Sequence, residues 1–306
     1  MEETLRQITF DEVDIQRAKR MTFNELANEW LEVYDATGKK KSSIRVRQKE
    51  INVLNRYMAK QPLSDINYRF YQSVINNIAK DYARNTSLGI NNCANMIFKY
   101  AVKANLLKDN PARDIVVPKK AKKVEEIKQD NISEKFLTTE ELDEFLDTVD
   151  AAGLELDKEI FYTLAFSGMR TGELLALKMS DLDFEERTID ISKNMYNENN
   201  NMRDYELTPP KTEGSIRLID MEPEIMDLLQ NLVHENKKNR FKYRYWYDDY
   251  HDEDFLFCHK NGYPQVPRFS GSRMKRLIQL TGIQKKRRLT FSDTHISVCL
   301  QKLKLI

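Results

Sequence analysis

The residues best placed to do chemistry lie between Phe161 and Asp183, in the run FYTLAFSGMRTGELLALKMSDLD. An apolar helix carrying Phe161, Leu164 and Ala165 runs out at Gly168. Arg170 follows, and Thr171 can cap a new helix that carries Leu174, Leu175 and Leu177. An arginine between two apolar helices is held by packing on both sides. Its guanidinium stays charged at any working pH and can donate to two phosphate oxygens at once. Clamping a phosphate is one use of such a residue. A structural ion pair with Glu173 or Asp181 is the other, and spacing alone leaves both open. Lys211, in PKTEGSIRLI, is the second candidate. It stands between a loop and a strand-like run, where most lysines are ordinary turn residues.

Composition narrows the partners. The chain has 306 residues, 41% hydrophobic and 32% charged, enough for two domains with separate cores. No apolar run reaches membrane-spanning length, and charges throughout the first twenty residues exclude a secretory leader. Cys93, Cys258 and Cys299 are an odd set without CxxC spacing, which fits a reducing cytoplasm and argues against zinc or a disulfide frame. His251 and His259 sit among acidic residues without ligand spacing. Neither a metal nor a cofactor is expected. The formal charge of +1 hides a division: residues 21–120 hold 17 Lys+Arg against 9 Asp+Glu, a net +8, and the remainder nets −7. A basic first half suits nucleic acid, although a solvated basic helix face gives the same count.

The elements that must position these residues follow from periodicity. Residues 1–20 are polar and aperiodic and read as a flexible lead-in. Thr22 and Glu25 have capping-box spacing before Leu26, Trp30 and Leu31. A second helix from Ser42 or Ser43 buries Ile51, Leu54 and Met58 and turns Arg45, Lys49, Arg56 and Lys60 outward. Asp65 can cap a third helix with Tyr71, Val74, Ile75 and Ile78 inward. Thr86 or Ser87 can open a fourth with Cys93, Ile97, Tyr100 and Ala101 inward, ended by Asn110-Pro111. The expected organisation is a helical domain at 21–117, a charged linker at 118–135 and a second domain at 136–306. In the second domain, Thr138 and Glu141 again have capping-box spacing. Thr188–Ser192 and Ser215–Asp220 read as strands around a polar loop, and Ile189 and Ile191 point inward. Pro223 opens a helix with Ile225, Leu228, Leu229 and Leu232 on its apolar face. FKYRYWYDDYHDED reads as a loop insertion, and Ser270 or Ser272 begins a last helix stopped by Gly282. The fold class is mainly α with a small β-sheet.

The Arg170 segment resembles the first signature of the tyrosine recombinases, the phage-integrase family, nearly residue for residue. The resemblance implies a two-domain recombinase: an N-terminal four-helix core-binding (SAM-like) domain and a C-terminal α+β catalytic domain that together clamp DNA. In that family the arginine grips the scissile phosphate. Lys211 resembles the family's β-hairpin lysine, a general acid for the departing 5′ oxygen; Pro210 replaces the usual first threonine. AsnProAla at Asn110–Ala112 matches the close of the core-binding domain. On this reading Lys39, Lys40, Lys41, Arg45, Arg47 and Lys49 contact phosphates, as do Lys285, Lys286, Arg287 and Arg288. The implied partner is double-stranded DNA, with self-association on it and no membrane. The implied setting is the cytoplasm of a bacterium, with a phage or mobile element as source.

The resemblance fails at the end. In RLTFSDTHISVCLQKLKLI, Thr294, His295, Ile296 and Ser297 align with the helix that follows the family's second arginine. Ser292 then stands at that arginine and Leu289 at the histidine, and no tyrosine follows Tyr263. A truncated or frame-shifted end is expected, and with it a cleavage-deficient chain, since in-line attack needs the tyrosine phenol. Whether the chain is an enzyme therefore stays open. The alternative is a non-catalytic DNA-binding protein that occupies sites or regulates an intact recombinase.

Overall fold

The computed structural model describes residues 16–119, 137–210 and 215–283. They fall into two compact units, one within Met1–Lys122 and one within Lys123–Ile306. Both are dominated by helices, and the second adds small antiparallel sheets, as the patterning requires.

The first unit is built from α1 (Phe23–Ala36), α2 (Lys41–Met58), α3 (Tyr68–Asp81) and α4 (Arg84–Lys103). Thr22 caps α1 through the expected box: its hydroxyl accepts from Glu25 N, and Glu25 Oε2 accepts from Thr22 N at 2.7 Å. Such a cap contributes about 1 kcal/mol. Residues 16–20, read from sequence as lead-in, are helical; Ala18 is buried, and Arg17 pairs with Glu29 at 2.9 Å. The core gathers Leu26 and Trp30 from α1, Leu54 from α2, Ile75 from α3 and Ile97 from α4. At its centre Phe98 meets Phe23 and Tyr71, with ring centroids 5.7 and 5.5 Å apart. The Tyr71 hydroxyl donates to Asn91 Oδ1, so its polar tip is satisfied inside the core.

Three helix starts in the first unit differ from the sequence reading. α2 begins at Lys41 rather than Ser42 or Ser43, and Lys40 caps it without a side-chain bond. α3 is capped by Asn67, whose Oδ1 accepts from Phe70 N, while Asp65 closes a 3₁₀ turn at Leu63–Asp65. α4 begins at Arg84, two residues before Thr86, and stops at Lys103, ahead of Asn110-Pro111. Asn110 instead accepts from Ala112 N, an Asx turn closing the unit.

The second unit opens with α5 (Thr139–Ala152), again under a Thr138–Glu141 capping box, then α6 (Asp157–Ser167) and the short α7 (Thr171–Leu175). Strands β1 (Leu182–Asp183), β2 (Thr188–Ile191) and β5 (Arg217–Asp220) form one antiparallel sheet in the order β1-β2-β5, with Ile189 opposite Ile219 and Ile191 opposite Arg217. Ile189 and Ile191 face the core, as their alternation requires. β3 (Asn194–Tyr196) and β4 (Glu206–Thr208) pair as a separate hairpin, with β4 inside the stretch read as a polar loop. α8 (Pro223–Tyr243) and α9 (Pro267–Leu280) each carry proline in the first turn, where its missing N–H costs nothing. The α9 start thus lies at Pro267, before Ser270. α8 runs three residues into the aromatic stretch read as a loop insertion. Phe145 and Phe161 meet edge to face at 5.3 Å in the core. Among the described residues no helix is long and apolar enough to cross a membrane, and no cluster of His, Cys, Asp or Glu could hold a metal.

Candidate functional site

Arg170 is positioned by the junction of α6 and α7. α6 ends at Gly168, whose φ of 63° lies in the left-handed region that favours glycine. The chain reverses there, and Arg170, in extended backbone, becomes the residue that caps α7. Thr171 is the first residue of α7 and not its cap, a correction to the sequence reading. Gly172 then lies hard against the hairpin: a Cβ there would stand 2.5 Å from Asn194 Oδ1 and 3.2 Å from the Met195 carbonyl.

Glu173 orients the arginine. Its Oε2 accepts from Arg170 N at 3.0 Å, and its Oε1 accepts from Arg170 Nη1 at 2.9 Å. The Glu173 side chain is 3% exposed and that of Arg170 47% exposed. Of the two ion-pair partners that sequence allowed, Glu173 is therefore the one used. Asp181 is taken by Lys193 Nζ at 2.6 and 2.7 Å and by Lys178 N. Pairing does not bury Arg170, and about half of its surface still meets solvent.

Arg217 is the residue that the sequence reading did not single out. From β5 its Nη2 donates to Glu173 Oε2 at 2.8 Å, and its Nη1 donates to the Ser215 carbonyl at 3.2 Å. Burial would raise the Glu173 carboxyl, but the bonds from Arg217 and Arg170 outweigh it and hold the pKa below the ordinary value. The available signal was the inward–outward alternation of β5, which turns Arg217 to the side of Ile219. Lys211 and Lys285–Arg288 lie outside the described residues, as do Leu289, Ser292 and His295.

In the first unit the candidate phosphate face divides. Lys41, Arg45 and Lys49 recur every four residues and form one row along α2; Lys39 and Lys40 precede it and are exposed. Arg47 lies two residues from Arg45, which is about 200° around a helix. It pairs with Glu50 at 2.7 Å, with side chains only 21% and 13% exposed. Burial pushes the Glu50 carboxyl up, against the pull of Arg47.

The aromatic stretch folds back on the hairpin. Tyr205 Oη lies 2.7 Å from His251 Nε2, and His251 stacks on Tyr263 at 4.3 Å. Arg203, on the hairpin loop, pairs with Asp249.

Residues 135–298 match the model of the phage integrase family, and residues 23–117 match the phage integrase central domain. The chain belongs to the phage integrase family. Among its relatives is the integrase of Staphylococcus phage L54a, 27% identical over 293 residues, which cover 92% of this chain and 81% of that protein. The prophage ps2 probable integrase of Lactococcus lactis is 28% identical over 247 residues, covering 79% of this chain and 61% of its own. The integrase fold is also recognisable in solved structures. The Tn1549 transposon integrase in complex with transposon right end DNA has a TM-score of 0.68 at 19% identity, over 92% of this chain and 86% of that one. A lambda integrase dimer bound to a core site has a TM-score of 0.63 at 13% identity, over 92% and 69%.

Proposed function

We propose that this chain binds duplex DNA as a site-specific recombinase of a mobile element, with Arg170 gripping the phosphate at which strands are exchanged. The observation that carries this reading is the Arg170 junction: a half-exposed guanidinium fixed by a buried carboxylate, within the segment that matches the integrase family. A phosphate-binding arginine needs its orientation set in advance and its outer donors in reach of the ligand. Lys211 belongs to the same proposal as general acid. Lys39, Lys40, Lys41, Arg45 and Lys49 are the proposed backbone contacts of the first unit, and Lys285–Arg288 a further set. The DNA complexes of the Tn1549 and lambda integrases support DNA as partner, and the lambda dimer supports self-association on it. We propose the bacterial cytoplasm as the place of action.

The 306 residues carry no tyrosine after Tyr263. On their own they are proposed to bind rather than cut; the second reading is a non-catalytic DNA-binding protein that occupies sites or regulates an intact recombinase. A duplex that traps covalent phosphotyrosine tests this directly. No adduct is expected from this chain, while gel shift of the same duplex is expected to weaken with Arg170→Ala. An adduct mapping to Tyr243, Tyr245, Tyr247, Tyr250 or Tyr263 would overturn the binding-only reading. Loss of all DNA binding in the parent chain would overturn the recombinase reading.

A further inference from the structure

The three most exposed large apolar side chains among the described residues stand together at the end of α8: Phe241, Tyr245 and Trp246, at 83, 90 and 73% exposed. Trp246 is held in place. Its N donates to the Tyr243 carbonyl at 2.9 Å, and its ring meets that of Tyr243 edge to face at 5.8 Å. Tyr247 lies 6.4 Å from the same ring. Lysines sit among these rings. Lys242 Nζ and Lys260 Nζ lie 5.0 and 6.0 Å from the centre of Tyr243, and among the described residues neither pairs with a carboxylate. The acids that follow are mostly taken: Asp249 pairs with Arg203, Asp252 with Arg240 and Arg244, Glu253 with Lys178 and Asp254 with Arg240. Asp248 is the exception.

A cavity of about 400 Å³ opens beside the cluster, and Tyr247 and Lys260 line it. Its wall carries two polar groups that burial leaves incomplete. Gln265 is 4% exposed, and its Oε1 accepts no hydrogen bond among the described residues. Arg273 lies 4.7 Å from the Phe269 ring centre and 3.6 Å from Asp157, yet its Nη1 makes no hydrogen bond. Buried donors and acceptors without partners are costly, and the edge of a polar ligand would complete them. Asp157 offsets Arg273, and Glu155 and Lys260 share the wall, so the cavity suits a neutral polar ring better than an ion. Protein interfaces deplete lysine, whereas single-stranded nucleic acid uses rings for its bases and cations for its backbone.

We propose that this face binds single-stranded DNA: one base stacks on Trp246, a neighbouring base enters the cavity and donates to Gln265 Oε1, and the backbone passes Lys242 and Lys260. The proposal is separate from the duplex reading of Arg170 and of α2.

The test uses the full chain and oligothymidylate, which forms no duplex with itself and whose bases carry an imino donor. The chain holds two tryptophans, and Trp30 is 5% exposed in the first unit, so quenching of emission reports on Trp246. Oligothymidylate is expected to quench the parent and not Trp246→Phe. By anisotropy of a labelled strand, Trp246→Ala is expected to weaken binding roughly tenfold, the scale of one lost stack, and Gln265→Met severalfold. Lys242→Ala with Lys260→Ala is expected to flatten the salt slope by up to about 1.4, at roughly 0.7 per contact with a single strand. Duplex DNA should not reverse the quenching, and Trp246→Ala should leave duplex affinity unchanged. No quenching in the parent, or an unchanged strand affinity in Trp246→Ala, would overturn the proposal. So would reversal by duplex, which would place the rings in the duplex footprint. Quenching that grows with chain concentration in the absence of DNA would overturn it too, by assigning the rings to contact between copies. Unchanged affinity in Gln265→Met would overturn the entry of a base into the cavity. Loss of duplex binding with strand binding intact would overturn the recombinase reading alone.

Discussion

Arg47 and Glu50 pair at 2.7 Å on the flank of α2, about 200° around the helix from Arg45. One basic cluster in the sequence is thus two groups in space. Lys41 and Lys49 of the first group are exposed and Arg45 is half-buried, whereas Arg47 serves a half-buried carboxylate.

The two groups should separate in a salt titration of duplex binding. Neutralising Lys41, Arg45 and Lys49 together is expected to flatten the slope of log K against log salt by up to about 2.7, at roughly 0.9 per phosphate contact. Arg47→Ala is expected to leave the slope unchanged and to lower stability by about 1–3 kcal/mol, because Glu50 loses its partner. An unchanged slope in the triple variant would remove this row from the DNA footprint.

Glu173 and Glu50 should give opposite pH dependences. The folded pKa of Glu173 is lowered, so its stabilisation is present above the unfolded carboxylate value and is lost as pH falls through the folded one. The folded pKa of Glu50 is raised, so stability declines as pH rises between its unfolded and folded values. Urea midpoints measured across acid pH check both. Glu173→Gln should remove the acid-side loss, and Glu50→Gln should remove the decline with rising pH.

The described thiols should be inert at neutral pH. Burial pushes Cys93 up to about 12 and Cys258 up to about 11, so almost no thiolate exists. Iodoacetamide labelling followed by peptide mass spectrometry should leave both unmodified in the native chain and modified in urea. Rapid native labelling of Cys93 would contradict its burial.

Gly168→Ala should cost about 1–2 kcal/mol, because its left-handed backbone crowds a Cβ. Gly168→Asn should cost less, since asparagine tolerates that region. Thermal midpoints of the two variants give the order.

What was legible in the sequence was local. Both capping boxes read correctly because Thr22 with Glu25, and Thr138 with Glu141, need only three residues of separation. The strand at Thr188–Ile191 declared itself through Ile189 and Ile191. The starts at Lys41 and Arg84 were missed because Lys40 and Ala83 cap without a side-chain bond, leaving no residue type to read. The β3–β4 hairpin was missed because each strand is three residues long and Met195 is its single fully buried position. Arg170 was found from its flanking helices. The carboxylate it shares with Arg217 was not, since Arg217 and Glu173 meet across 44 positions and neither type announces the other.

The contact of Gly172 with Asn194 and Met195 gives the arginine a borrowed stiffness. A methyl group at Gly172 would crowd Asn194 Oδ1 and the Met195 carbonyl, so the Arg170 turn cannot move towards the β3–β4 hairpin without displacing it. That hairpin is in turn moored to the aromatic stretch through Tyr205 with His251 and Arg203 with Asp249. Residues that touch no phosphate thus act as ballast for the one proposed to do so. Trimming the stretch around His251 would loosen Arg170 from a distance, with every residue of its own junction intact.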